Sequence, residues 1–236
     1  MRRRFRAEGR FLYPRPFCVD WEAAVRVLMV ANPKGGVGKS TLATNLAGML
    51  AQRSKLEPIQ VMLGDVDRQQ SARQWLRLRP EGLPAIHGWE LDPNKPARPP
   101  KDTTHAVIDT PAGLHGDKLK GLLKRADAIL VPIQPSLFDI LATRVFLDDL
   151  LELRAAKGTT IALVGMRVDQ RTRAAEELHR FTDSVGLPVL AWLRNTQNYV
   201  QLAAHGLTLF DVQPTRVEKD LAQWEPIDRW VRLIEH

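Results

Sequence analysis

The chain has 236 residues, of which 44% are hydrophobic, and it carries a formal net charge of +7. This length and apolar content suffice for one large core, and the basic charge favours an anionic partner such as nucleic acid or acidic lipid. The single cysteine, Cys18, excludes an intrachain disulfide framework and a four-thiolate metal site, and no apolar run reaches the length of a membrane-spanning helix.

The first 24 residues differ from the rest of the chain. They are rich in arginine, contain Pro14 and Pro16, and lack strong hydrophobic periodicity or the apolar stretch of a secretory signal. We interpret them as a basic, loosely ordered extension, or as a start assigned upstream of the true first strand. A basic arm that contacts nucleic acid is a further alternative. The folded domain is expected to span residues 25–236.

From residue 25 onward, short apolar runs alternate with helical patterns. Strands are predicted at residues 25–31, 59–64, 105–109, 128–133, 160–166 and 188–192, with a weak one at 85–87. Helices are predicted at residues 39–51, 71–78, 117–125, 141–155, 171–185, 199–204 and 221–234, and a proline-rich surface loop at 93–101. This alternation predicts a single α/β domain with a mostly parallel, twisted sheet flanked by helices on both faces.

A glycine-rich loop at residues 32–41 joins the first predicted strand to the first helix. Its glycines let backbone N–H groups point at phosphate oxygens, and the helix N-terminus adds the positive end of a dipole. Lys39 is expected to reach the β- and γ-phosphates, and the Ser40 hydroxyl to ligate Mg²⁺. The predicted nucleotide-binding residues of this P-loop are Lys34, Gly35, Gly36, Val37, Gly38, Lys39, Ser40 and Thr41.

Acidic residues follow two further predicted strands, at the strand ends where open α/β sheets bind ligands. Asp109 ends one of them, and a carboxylate there is expected to hold the hydration shell of Mg²⁺. Asp65 and Asp67 end the other, and their side chains point to opposite faces if the strand continues. One of them can then face the metal and the other the attacking water; a pair of turn-capping aspartates is the alternative.

The base is predicted to be adenine. Guanine-specific P-loop proteins of this type carry Asn-Lys-x-Asp late in the chain, whereas the corresponding stretch here is Met166-Arg167-Val168-Asp169, without the Asn and the Lys. Arg167, in this stretch, is counted among the residues expected to contact the nucleotide. ATP and Mg²⁺ are therefore the predicted cofactors.

These motifs resemble those of the ParA/MinD family of deviant Walker-A ATPases over about residues 26–235. The deviation is Lys34, beside Pro33, which stands where the ordinary motif has its first glycine. In the family this lysine crosses a dimer interface to the partner's phosphates, so the resemblance implies that Lys34 acts in trans. Residues 65–69 resemble the family's Asp-x-Asp-Pro-Gln, which implies that Asp67 serves hydrolysis and Asp65 the metal; Arg68 replaces the proline.

Other segments extend the resemblance. Residues 109–111 match the second acidic motif, and residues 132–136 with Asp139 match a stretch near the nucleotide and the dimer face. Residues 192–195 resemble a late segment that precedes a patch binding DNA non-specifically, and Arg194 and Arg216 fall near its DNA-contacting positions. The small partition-type members, which are ParA- or ParF-like, are the most similar.

The resemblance implies a function as well as a fold. It implies an ATP-dependent homodimer with slow, Mg²⁺-dependent ATP hydrolysis, stimulated by a ParB-like protein or a cargo adaptor. Such a dimer binds DNA non-specifically and positions a plasmid, a chromosome or a protein assembly. The implied location is the bacterial cytoplasm, with nucleoid association in the ATP-bound state.

Local charge gives this DNA contact little support. From residue 194 onward the bases are Arg194, Arg216, Lys219, Arg229 and Arg232, and the acids are Asp211, Glu218, Asp220, Glu225, Asp228 and Glu235. Five bases against six acids make no basic tail, so a mixed, solvated surface is the alternative.

A MinD-like ATPase that cycles on a membrane is the main rival. It needs a C-terminal amphipathic anchor, and Ile227, Trp230, Val231 and Ile234 do line one helical face. The acidic residues nearby oppose anionic lipid, so a helix packed on the core is predicted, without stable membrane insertion. A redox ATPase resembling the nitrogenase iron protein needs two cysteines in each subunit, and a related tyrosine kinase needs a tyrosine-rich tail; this chain has neither.

Overall fold

The computed structural model describes residues 25–66, 70–91, 99–154 and 159–235, with only the backbone described for Lys118 and Arg154. The predicted extension at residues 1–24, the candidate catalytic Asp67 with Arg68, and most of the predicted loop at 93–101 lie outside the described residues.

One parallel sheet organises the described part of the chain. Its strands are β1 Arg26–Val30, β2 Val61–Asp65, β3 Ile86–Glu90, β4 His105–Asp109, β5 Ala128–Ile133, β6 Thr160–Val168 and β7 Val189–Arg194. They lie in the order β3-β2-β4-β1-β5-β6-β7, and every adjacent pair is parallel. Parallel strands are covered on both faces and are therefore apolar along their length; β4 and β5 are buried at every position. The predicted α/β fold is confirmed.

Helices cover both faces of this sheet. They are α1 Lys39–Arg53, α2 Ser71–Leu78, α3 Gly116–Leu123, α4 Leu137–Arg154, α5 Arg173–Val185, α6 Gln197–Ala203, α7 Pro214–Ala222 and α8 Glu225–Ile234, with a 3₁₀ turn at Leu209–Asp211. Buried side chains of α3, α4 and α5 form the core on one face. Those of α1, α2, α6, α7 and α8 form the core on the other.

The prediction of one closing helix at residues 221–234 is wrong. The structure has two helices there, and α8 begins with Pro226 in its first turn. Proline has no N–H group and clashes with the preceding turn, so it is tolerated only at a helix start. The sequence does not reveal this break, because Trp224 and Ile227 continue the apolar spacing of a helix across it. Both side chains are buried. Similarly, α4 begins before the predicted residue 141, since Ile140 N donates to Ser136 O at 2.9 Å.

The last helix is fastened to the amino edge of the sheet. Glu235 accepts two hydrogen bonds of 2.8 Å from Arg53 on α1, and its Oε1 lies 2.9 Å from Nε2 of His105 on β4. The apolar face of α8 is inside, with Ile227 and Val231 at 0% exposure. The predicted packing of this helix on the core is confirmed. Among the described residues, no helix combines the length and the apolar content needed to cross a bilayer.

Gly48, inside α1, marks a tight contact between this helix and the 3₁₀ turn. A Cβ atom there would lie 2.4 Å from Thr208 Oγ1, and Thr208 is held in place by a capping box with Asp211. We expect Gly48→Ala to lower the free energy of unfolding by about 1–3 kcal/mol through overpacking, measured by urea denaturation. Gly121→Ala in α3 is the matched control: its added Cβ meets nothing within 4 Å, so the better helix propensity should stabilise by up to about 1 kcal/mol. Equal stabilisation by both substitutions would contradict the packing argument.

Candidate phosphate-binding site

The P-loop lies where the strand order of the sheet reverses. After β1 the chain adds β2, β3 and β4 on one side of β1, and then β5, β6 and β7 on the other side. The carboxyl ends of the strands at such a point form the crevice in which open α/β sheets bind ligands. The P-loop leaves the carboxyl end of β1 and leads directly into α1.

Two glycines of the loop have a left-handed backbone. Gly36 has φ 76° and Gly38 has φ 97°, a region that side chains strongly disfavour. A Cβ on Gly38 would also lie 2.8 Å from Met166 Cε. Gly38 is the N-cap of α1 and has no side chain with which to cap the helix. No side-chain cap therefore occupies the N–H groups of the first turn, which point toward the loop by helix geometry, as an anion-binding helix N-terminus requires.

The ammonium group of Lys39 lies inside the loop. Lys39 is 7% exposed, and its Nζ donates to Lys34 O at 2.6 Å. A buried positive charge that already spans the loop is well placed for phosphate oxygens, because charge-assisted hydrogen bonds are the strong ones.

Lys34 is held at its backbone and exposed at its side chain. The amide of fully buried Asn32 accepts from Lys34 N at 2.8 Å and donates to Pro132 O and Thr143 Oγ1 at 2.8 and 2.9 Å. The Lys34 side chain is 40% exposed, with Nζ 4.0 Å from Asp139 Oδ1 on α4. No role of Asn32 is predicted from the sequence, because the residues to which its amide donates lie about a hundred residues away in the chain.

The residue that follows β5 and a residue near the end of β6 also reach the P-loop. Gln134 Nε2 donates to Gly36 O at 2.8 Å, and Arg167 Nη1 lies 3.5 Å from the same oxygen. The structure thus places Arg167 beside the P-loop, while its contact with nucleotide stays a prediction. Hydrogen bonds from the side chain and backbone of Arg171 lower the pKa of nearby Asp169 to about 2, so this carboxylate is ionised and committed to a local turn.

The two candidate metal-facing carboxylates within the described residues end adjacent strands. Asp65 on β2 and Asp109 on β4 are register partners, and Asp109 is 1% exposed. Asp65 Oδ2 accepts from the backbone N–H groups of Ala72 and Arg73 at 2.8 and 3.2 Å. Asp65 therefore caps α2, which was the alternative considered for this aspartate, and a metal-facing role stays a prediction.

The segment after β4 is tied to the P-loop. Thr110 Oγ1 donates to Val30 O at 2.9 Å, and Gly113 N donates to Pro33 O at 2.7 Å. A shift of the loop at Pro33 would therefore be transmitted to the residues that follow Asp109.

The other loop residues lie where the motif predicts. Val37 is buried, while Ser40 and Thr41 begin α1 and accept at their carbonyls from Thr44 and Asn45. Ser40 lies on the first turn of α1, which follows the carboxyl end of β1, and β4 ends in Asp109 at the same edge of the sheet.

The two candidate DNA-contacting arginines lie away from this loop. Arg194 ends β7, the edge strand three positions from β1, or roughly 14 Å at the usual strand spacing. Its Nε donates to Asp220 Oδ1 at 2.5 Å, and this hydrogen bond raises the pKa of Arg194. Arg216 is exposed on α7.

A glycine loop between a buried strand and a helix N-terminus, with an enclosed lysine at its end, defines a P-loop nucleotide-binding protein. The family described as the CobQ/CobB/MinD/ParA nucleotide binding domain matches residues 28–210. The chain belongs to this family, and the resemblance to ParA and MinD proteins is confirmed.

Individual relatives agree with this assignment. The chain is 30% identical to "Maintenance of carboxysome distribution protein A" of Gloeobacter kilaueensis over 188 residues, 78% of this chain and 83% of the relative. It is 30% identical to the "Chromosome-partitioning ATPase Soj" of Thermus thermophilus over 191 residues, 66% of this chain and 75% of the relative. The solved structure of the cell division ATPase MinD of Pyrococcus furiosus has the same fold, with a TM-score of 0.66 at 18% identity over 87% of this chain and 99% of that one.

Proposed function

We propose that this chain is a ParA-type ATPase that dimerises on ATP, binds DNA without sequence preference and positions a cargo. The observation that carries the proposal is Lys34: its backbone is fixed by buried Asn32, while its side chain is 40% exposed beside the P-loop. An exposed lysine at this point can reach the nucleotide of a second copy, as an arginine finger supplied in trans does.

ATP and Mg²⁺ fit the residues of the loop. Lys39 and the first-turn N–H groups of α1 would hold the phosphates, and Ser40 with Asp109 would hold the metal. Mg²⁺ supplies charge neutralisation on the phosphoryl oxygens. Asp65, with one oxygen on α2, and Asp67 complete the proposed acidic set, with Asp67 orienting the attacking water.

An apolar stripe beside Lys34 supports dimerisation. Its members are exposed on α4, the helix that also carries Asp139: Leu137 at 67%, Phe138 at 74%, Leu141 at 53% and Val145 at 64%. Contiguous exposed apolar surface of this kind marks an interaction site. A second copy approaching Lys34 would cover it.

The structure changes the charge balance that made DNA binding look weakly supported. Three of the six acids beyond residue 194 are committed to internal ion pairs. These pairs are Asp211 with Arg79, Asp220 with Arg194, and Glu235 with Arg53. One of these pairs also takes up Arg194, so the segment keeps four other bases against three other acids. Arg216, Glu218 and Lys219 are exposed on α7, and the excess of bases in this segment is therefore small.

The relatives support a positioning role. Their names refer to carboxysome distribution and chromosome partitioning. The proposed cargo is therefore a protein assembly or a DNA molecule, and the proposed partner is a cargo adaptor or a ParB-like protein that stimulates hydrolysis. The proposed location is the cytoplasm, with nucleoid association in the ATP state. The membrane-cycling alternative is less well supported, because the apolar face of α8 is packed on the core.

DNA binding that depends on ATP is the test of this function. With a slowly hydrolysed ATP analogue, we expect binding to two unrelated duplexes with equal affinity, a steep loss with salt, and little binding with ADP. Because a dimer presents each arginine twice, Arg216→Ala should make the salt slope shallower by about two units. Fluorescence anisotropy across a salt series measures both effects.

Lys55→Ala is the matched control for this experiment. Lys55 is exposed just after α1, near the amino ends of the strands, whereas Arg194 lies at the carboxyl end of β7. Loss of Lys55 should therefore leave the salt slope nearly unchanged. Equal DNA binding in ATP and ADP, or none with the ATP analogue at low salt, would overturn the DNA-binding part of the proposal and favour the membrane alternative.

A further inference from the structure

We propose that Asp220 is a positioning residue for DNA binding: it anchors Arg194 through Nε and so presents the terminal guanidinium nitrogens to a backbone phosphate. The inference rests on the proposed DNA binding and adds to it the residue that aims the arginine. In the charge balance of the sequence, Asp220 is only one of six acids that would oppose a polyanion.

The pair joins a buried acid to a half-exposed base. Asp220 on α7 is fully buried, whereas the side chain of Arg194 is 43% exposed. Arg194 Nε donates to Asp220 Oδ1 at 2.5 Å, and Asn198 Nδ2 donates to Oδ2 at 2.5 Å. Both carboxylate oxygens are thus engaged, which a buried carboxylate requires.

The backbone of Arg194 is fixed as well. Its N–H donates to Gln223 Oε1 at 3.0 Å, and the Gln223 amide donates to Trp192 O at 2.7 Å. Gln223 directly follows α7, so one helix holds this arginine at its backbone and at Nε.

The terminal nitrogens of the Arg194 guanidinium group, Nη1 and Nη2, are available to bind a ligand. Among the residues that the structure describes, none accepts a hydrogen bond from Arg194 Nη1 or Nη2. Guanidinium is a rigid planar fork of five N–H donors, and with Nε engaged the terminal nitrogens keep four. An arginine whose orientation is already set loses less entropy on binding a phosphate than a freely rotating one.

The positioning role and a simple effect of net charge predict opposite changes in DNA affinity for the substitution Asp220→Asn. Asp220→Asn removes one negative charge from each protomer close to a DNA-contacting surface. If only net charge mattered, DNA binding would become tighter. If Asp220 holds Arg194 in place, the loss of the anchor should weaken binding.

The experiment measures anisotropy of a labelled duplex with a slowly hydrolysed ATP analogue over a salt series. We expect Asp220→Asn to weaken binding by about tenfold, as the loss of a charged hydrogen bond does. Arg194→Lys, which keeps the charge but not the fork, should weaken it comparably. The double variant Asp220→Asn with Arg194→Ala should bind no more weakly than Arg194→Ala alone, because the two residues act through one contact.

Two controls separate this effect from charge and from folding. Glu218→Gln removes an exposed acid from the same helix and should leave binding unchanged or slightly tighter. Asn198→Ala removes the other hydrogen bond of Asp220 while keeping the arginine pair. Thermal unfolding and nucleotide binding report whether each variant is folded. If Asp220→Asn does not fold, the DNA affinity of Arg194→Lys tests the positioning role.

Failure of the positioning role and failure of the proposed DNA binding give different results. Binding by folded Asp220→Asn as tight as that of the unmodified protein, or wild-type affinity of Arg194→Lys, overturns the positioning role and leaves DNA binding in place. Absence of DNA binding by the unmodified protein with the ATP analogue overturns the proposed DNA binding and, with it, the role of Asp220.

Discussion

Lys39→Ala is expected to abolish tight ATP binding, with a loss of affinity of about 100-fold or more. The ammonium of Lys39 is 7% exposed and lies within the loop, where it is the main mobile positive charge for the β- and γ-phosphates. Each hydrogen bond to a charged group contributes roughly 1.5–3 kcal/mol, and two phosphates are involved. Titration with a fluorescent ATP analogue measures the change.

The exposed Lys55 again supplies a matched control for charge, since Lys55→Ala should bind the analogue normally. Thermal unfolding checks that loss of the hydrogen bond from Lys39 Nζ to Lys34 O has not unfolded the loop. Unchanged affinity in a folded Lys39→Ala protein would remove Lys39 from the site.

Lys34→Ala is expected to leave ATP affinity of the monomer within a few-fold of normal and to prevent the ATP-bound dimer. The Lys34 side chain is 40% exposed, and its Nζ lies 4.0 Å from Asp139; the enclosed ammonium within the loop belongs to Lys39 instead. If Lys34 acts in trans as proposed, removing its exposed ammonium takes away a contact to the other subunit's phosphates and little from the subunit's own site.

Light scattering with a slowly hydrolysed analogue distinguishes monomer from dimer directly. Lys34→Ala should scatter as a monomer at a protein concentration at which Lys55→Ala scatters as a dimer. A stable dimer of Lys34→Ala would contradict the proposed role in trans, and a large loss of ATP affinity would place Lys34 in its own subunit's site.

The strands and the P-loop could be predicted from sequence because their signals are local. A strand such as β5, buried at every position, is an uninterrupted apolar run, and the apolar run of β4 stops at Asp109, the last residue of that strand. The glycines and Lys39 lie together in the chain, so their joint function is visible without a structure.

Asn32 and Asp220 could not be predicted, because their partners are distant in sequence. Asn32 joins the loop to residues on β5 and α4, and Asp220 joins α7 to the end of β7. A polar residue read alone is expected to be solvated. Only the fold shows that these two are buried and hydrogen-bonded.

The attachment of Glu235 determines where a fluorescent label can be placed for imaging in cells. Glu235 contacts His105 and, through its carbonyl, Arg26, which are the first residues of β4 and β1. The end of α8 therefore emerges across the sheet from Lys34, roughly 15 Å away along strands of this length. A fluorophore attached close to the end of α8 would track the molecule from the edge opposite its phosphate loop.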